Sequence, residues 1–162
     1  MTESRTGLGH VTQWVRRCLW WVAMLGLLSP AVAGAPVLAA ADARAVRQVV
    51  EAQLDAFAAD DAERAFSYAS ASIRTQFGDA ATFMAMVRSG YPMVVRPAAV
   101  LFFQAQAHDA AEGSEVTVRQ AVQLRDDEGR LWMATYLLER QAGMGWRISG
   151  CVVAADSGKS ST

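Results

Sequence analysis

Two hydrophobic periods divide the chain. From Ala43 to about Arg88 apolar residues recur with the period of a helix, and from Pro97 onward with that of a strand. Val46, Val49, Val50, Gln53, Leu54 and Phe57 fall at i, i+3, i+4, i+7, i+8 and i+11, a single stripe along a first helix. Asp42 stands where a cap is expected. "ADDAE" (59–63) ends this helix and starts another, with Asp60 or Asp61 as N-cap. The second helix sets Ala62, Ala65, Phe66 and Ala69 on one side and runs into "SAS" (70–72), whose hydroxyls compete for backbone groups and stop it. Ile73 and Phe77 turn back to the core, and Gly78 permits a left-handed turn. Asp79 then caps a third helix, "AATFMAMVRSG", that buries Phe83, Met84 and Val87 and closes at Gly90. "YPMVVRP" predicts an extended connector, because the residue before proline is biased away from helix.

Four strands follow: "AAVLFFQAQA" (98–107), "SEVTVRQAVQLR" (114–125), "RLWMATYLLER" (130–140) and "GWRISGCVVA" (145–154). The polar links "HDAAEG", "DDEG" and "QAGMG" suit hairpins. Helices first and a meander second predict an α+β fold, with the N-terminal helices packed on one face of an antiparallel four-stranded sheet. Val116, Val118, Val122 and Leu124 point inward, and Gln120 interrupts that apolar face. On the next strand Trp132, Ala134, Tyr136 and Leu138 alternate with Leu131, Met133, Thr135 and Leu137, so both sides are apolar. A helix layer covers one side of a sheet. The other side therefore predicts a second covering, and a homodimer through the outer sheet face would supply it.

The N-terminus follows neither period. "MTESRTGLGHVTQWVRR" ends in two arginines, "CLWWVAMLGLL" follows, and no charge appears between Cys18 and Ala41. A basic segment, an apolar core and the small residues of "AVAGAPVLAA" describe a secretory signal peptide over residues 1–41. Cleavage falls after Ala33, Ala39 or Ala41; Ala35 also fits, but Pro36 would follow the cut. The uncharged stretch is also long enough to span a bilayer, so an uncleaved inner-membrane anchor stays open. Arg16-Arg17 superficially resembles a twin-arginine signal, but Val15 replaces the usual Ser or Thr, which favours general secretion. Cys18 precedes the apolar core and is no lipoprotein cysteine. Export leaves a single domain over residues 42–155 and a polar tail over 156–162.

Charge and cysteine usage then exclude several classes. From Asp42 onward there are 12 Lys and Arg against 15 Asp and Glu, a balance of −3, with no basic stripe for nucleic acid. Cys151 is the one remaining cysteine, so no disulfide framework forms within the chain, although the compartment would permit one. A reactive thiol wants exposure and a basic neighbour. Strand parity places 147, 149, 151 and 153 on one face and leaves Arg147 too far from Cys151 to pair. The ordinary reading is a small buried hydrophobe; an intermolecular disulfide is the alternative. His108 sits beside Asp109 in a turn, and "DDE" (126–128) lacks the spacing of a calcium loop. One cysteine and one histidine do not make a zinc site, and no phosphate loop or nucleophile elbow appears. No cofactor or metal is expected. Among the predicted buried strand positions the only carboxylate is Glu139, at a strand end. Candidate ligand contacts are thus Tyr68, Tyr91, Gln120 and Tyr136. For each there is a plain alternative: amphipathic packing for the tyrosines, a satisfied core amide for Gln120.

The words "EAQLDAFAADDAERAFSYASASIRTQFG", "FMAMVRSGYP" and "GWRISGC" resemble a bacterial family catalogued as domain of unknown function 4864, over roughly Val46 to Val153. The order of elements resembles the nuclear transport factor 2-like (cystatin-like) superfamily. That resemblance implies a curved sheet forming a cone, with a pocket between helices and sheet and dimers paired through the outer sheet face. In the family a proline often follows the "AS" pair, where this chain has Ala71; its turn should be softer. The expectation is an exported, periplasmic or secreted, non-enzymatic module that binds a small apolar or amphipathic ligand or a protein partner. Two alternatives stay open: a cone-type isomerase, cyclase or hydrolase on a small hydrophobic substrate, and an interaction domain anchored in the membrane.

Overall fold

The computed structural model describes residues 38–108 and 117–156. The expected Val116, the "HDAAEG" link beyond His108, the leader before Leu38 and the tail after Asp156 lie outside the described residues. Within them, helices α1 (Ala40–Ala58), α2 (Ala62–Ser67), α3 (Ala71–Phe77), α4 (Ala80–Gly90) and α5 (Pro92–Val95) precede the strands. Strands β1 (Ala99–Phe102), β2 (Gln106–His108), β3 (Thr117–Arg125), β4 (Leu131–Gln141) and β5 (Gly145–Ala155) form one antiparallel sheet. Its order is β1-β3-β4-β5, with β2 also on β3. This is the expected α+β arrangement, consistent with a cone-like fold.

The stripe on α1 is buried as its period requires: Val46 and Val50 are fully covered, with Leu54 and Phe57 close behind. Asp42 does not cap this helix. The helix starts two residues earlier, and the Asp42 carboxylate in its first turn accepts from Arg140 and from Trp146 Nε1, which joins α1 to the β4–β5 hairpin. At the other end Asp60 adopts φ 61, the left-handed conformation usually left to glycine. Asp61 N–H donates to the Ala56 carbonyl and Asp60 N–H to that of Phe57, the paired bonds of a Schellman cap. Asp61 then caps α2, and Asp79 caps α4 through Thr82 N–H at 2.7 Å.

The serine-rich stretch after Phe66 builds more than one helix end. Instead of running to Ala69, α2 stops at Ser67, and Tyr68–Ser70 lies along the edge of β5. Ile148 N–H donates to the Tyr68 carbonyl at 2.9 Å and Ser70 N–H to the Ile148 carbonyl at 2.8 Å. Ser70 also caps α3, a helix the periodicity does not predict, and Ala71 occupies its first position. Proline favours that same position, so this chain keeps the turn without it. Gly78, at φ 78, ends α3 as expected. After Tyr91 the chain is a short helix and not an extended connector; Pro92 opens α5, where its missing N–H costs nothing.

The inner face of the sheet carries Val118, Val122, Leu124, Ala134, Tyr136, Leu138, Trp146 and Ile148, all buried. Helices supply the other half of the core. There Phe83 packs against Phe66, Phe77 and Phe57 at centroid distances of 5.3, 5.6 and 6.1 Å. Two irregularities re-aim side chains. Three residues (103–105) separate β1 from β2 while two, Gln120 and Ala121, oppose them on β3, so the first expected strand is split. On β5, Leu137 pairs with Gly150 and Leu138 with Ile148, leaving Ser149 as an extra residue.

Candidate functional site

Strand parity alone would place Cys151 with Ser149 and Arg147. The bulge at Ser149 reverses this: Trp146 and Ile148 face the helices, and so do Cys151 and Val153 on the far side of the bulge. Arg147 instead lies opposite Glu139 on the outer face. The expectation that Arg147 and Cys151 share a face is therefore corrected, although they remain unpaired.

Three of the candidate residues form one row across the sheet. Gln120 on β3 is the register partner of Tyr136 on β4, which is the partner of Cys151 on β5. All three interrupt an otherwise apolar inner face. The Gln120 amide nitrogen is engaged with the sheet: it donates to the Phe103 carbonyl at 2.7 Å and to that of Ala121 at 3.0 Å, where β1 and β2 part. It does not border the cavity described next.

Tyr136 and Cys151 form the polar part of a cavity of about 290 Å³ between helices and sheet. Phe57 of α1, Ile73 and Phe77 of α3, Phe83 and Val87 of α4, Val94 of α5 and Val153 of β5 make its apolar wall. Tyr91, the residue between α4 and α5, also borders it. Gln53, Gln76 and Ser149 complete the polar lining, and Gln53 is already committed through a 3.1 Å bond to the Ala65 carbonyl. Burial pushes the Cys151 thiol up to about 12, only partly offset by the neighbouring Tyr136 phenol. The phenol is raised well above its ordinary value, again first by burial. Both groups therefore stay protonated and neutral across the physiological range, and Cys151 is a free, poorly nucleophilic thiol.

The remaining candidates lie elsewhere. Tyr68 borders a separate open groove between α1 and the β4–β5 hairpin, near Gln48, Arg140 and Trp146. His108 is exposed on β2, its Nδ1 3.1 Å from Arg119. Asp126 organises the β3–β4 turn: its carboxylate accepts from Glu128 and Arg130 N–H, Arg130 Nε and Trp132 Nε1. No group of three or more His, Cys, Asp or Glu among the described residues is placed to hold a metal ion. Sequence reasoning missed Gln53, Gln76 and Ser149. For Gln53 the signal was present, since an amide stands in the apolar stripe of α1. Ser149 depends on a bulge that no periodicity shows.

The described elements, from the start of α1 to the end of β5, all fall within a match to one sequence family. No curated protein matches the chain. The family, matched over residues 39–161, is described as Domain of unknown function (DUF4864), and the chain belongs to it.

Proposed function

We propose that this protein is an exported, periplasmic binding module of the nuclear transport factor 2-like type, whose helix–sheet cavity holds a small apolar or amphipathic ligand. The observation that carries the reading is the cavity itself. Its volume of about 290 Å³ lies near the lower end of small-molecule sites, roughly 300 Å³ and upward, and its wall is apolar with a few convergent polar groups. A proton-transfer enzyme on this scaffold would need a base of tuned pKa at the cavity. The lining supplies no carboxylate and no histidine, and the Tyr136 phenol and Cys151 thiol are held protonated by burial.

Export rests on the basic, apolar and small-residue segments in sequence. No helix among the described residues is long and apolar enough to cross a membrane. Leu38 packs against the core and α1 begins at Ala40. A cut after Ala33 keeps both, whereas a cut after Ala39 removes Leu38 and the N-cap residue, and a cut after Ala41 also removes the first helical residues. The mature chain is thus expected to begin at Gly34. The proposal extends to a homodimer through the outer sheet face, where Leu101, Leu131 and Val152 are exposed.

Native mass spectrometry of protein recovered from the periplasm of an expressing bacterium tests the reading. The expected spectrum shows a chain starting at Gly34 with extra mass that is released on denaturation. Ile73→Trp, which fills the cavity from a half-buried position on α3, should lose that extra mass while keeping the native circular dichroism. A mature wild-type chain with no adduct would overturn the ligand reading. An unprocessed mass in the membrane fraction would favour the anchored interaction domain.

A further inference from the structure

We infer that the cavity selects an uncharged molecule with an apolar body and a single hydroxyl head, seated head-first on the Tyr136–Cys151 pair. This rests on the ligand-binding reading above and adds the chemistry of the occupant. None of the residues lining the cavity carries a charge. On its sheet side two cross-strand partners, Tyr136 on β4 and Cys151 on β5, supply a phenol and a thiol.

Their hydrogen-bonding capacity is complementary to an alcohol. Tyr136 and Cys151 are cross-strand partners that border the cavity together, and each brings a donor and an acceptor, the phenol O–H and oxygen and the thiol S–H and sulfur. A ligand hydroxyl is one donor and one acceptor, and it can meet both. A carboxylate accepts only. It would give the phenol oxygen and the sulfur no donor, and no cation among the lining residues would offset its desolvation. An ammonium head donates only and would find a phenol oxygen but no anion.

The same arrangement excludes the opposite orientation as the source of selectivity. A tail-first ligand would leave its head at the cavity opening beside Gln76, which is exposed. Alcohol, carboxylate and ammonium heads would there be hydrated alike, and affinity would not depend on charge.

The experiment uses isothermal titration of the processed protein with 1-decanol, decanoate and decylammonium at neutral pH. Decanol should bind, and each ion should bind at least about tenfold more weakly, as for a charge desolvated without a partner. Tyr136→Phe should lower decanol affinity and narrow its advantage over decanoate. Cys151→Ala is the second variant should the first fail to fold, with the same direction expected. Equal affinity for all three ligands would overturn the head-first assignment while leaving the cavity a binding site. Binding of none of the three would overturn both. Undiminished decanol affinity in folded Tyr136→Phe and Cys151→Ala would place the head elsewhere and also overturn the assignment.

Discussion

A polar side chain on an apolar face declares its purpose through its partners, and Gln120 shows this most clearly. It is 1% exposed, and its amide nitrogen bonds two carbonyls at the place where β1 gives way to β2. Leucine at this position would suit the neighbouring valines but would leave the Phe103 carbonyl without that donor. Gln120→Leu is therefore expected to lose about 1–3 kcal/mol, the cost of stranding a buried polar group. Urea unfolding of the variant against the native protein measures it directly. A variant as stable as the native chain would mean that water replaces the amide and that Gln120 is a tolerated polar residue without a structural duty. The sequence shows that Gln120 breaks the pattern. It does not show its partners, because "AAVLFFQAQA" reads as one uninterrupted strand. Tyr91, Tyr136 and Cys151 do meet at the cavity, whereas Tyr68 does not, since the backbone of residues 68–70 is held along the edge of β5.

At the scale of elements, what was legible is what local chemistry determines. The Asp79 cap, the Gly78 turn and the last two strands follow from side-chain oxygens, positive φ and alternation, each within a few residues. What was not legible depends on distant partners: α3 exists because Tyr68–Ser70 docks on β5, and Cys151 faces inward because Ser149 bulges. Between these lies the β3–β4 hairpin, whose turn is predictable but whose strength comes from one carboxylate. Trp132 Nε1 first, and then the guanidinium and N–H of Arg130, hold Asp126 down at about 2. An unfolded aspartate titrates near 3.9, so the folded state binds the proton less tightly than the unfolded state. The contribution of Asp126 is then present above about pH 4 and fades as pH falls towards 2. Asp126→Asn should raise amide exchange in the hairpin at neutral pH and flatten its acid dependence between those limits. Hydrogen exchange followed from pH 5 downward reads both effects. Identical acid profiles for the two proteins would show that the turn is held by its backbone and Gly129 alone.

For the molecule as a whole, the unresolved asymmetry is between the two faces of the sheet. Helices cover one. The other presents Leu101, Leu131 and Val152, exposed by 55, 39 and 67%, around the half-buried Met133 and Leu137. Single exposed aliphatics are ordinary, but on this face they recur on three strands, in three successive cross-strand rows about Met133. A second copy is the covering that requires no further component, and a two-fold contact would set the same patch against itself. Such a contact is sensitive to like charge, because a residue near the two-fold axis meets its own copy. Arg119 and Arg125 already lie exposed on β3, so another cation at the patch adds to the like charge that two copies would set against each other. Val152→Arg should convert a dimer into a monomer in sedimentation equilibrium, with helix and strand content unchanged, since Val152 makes no part of the buried core. It should leave decanol binding intact, because the cavity lies on the opposite face of the sheet. A native protein that sediments as a monomer would remove the homodimer proposal. A variant that stays dimeric would move the contact off this face and leave the exposed aliphatics to another partner.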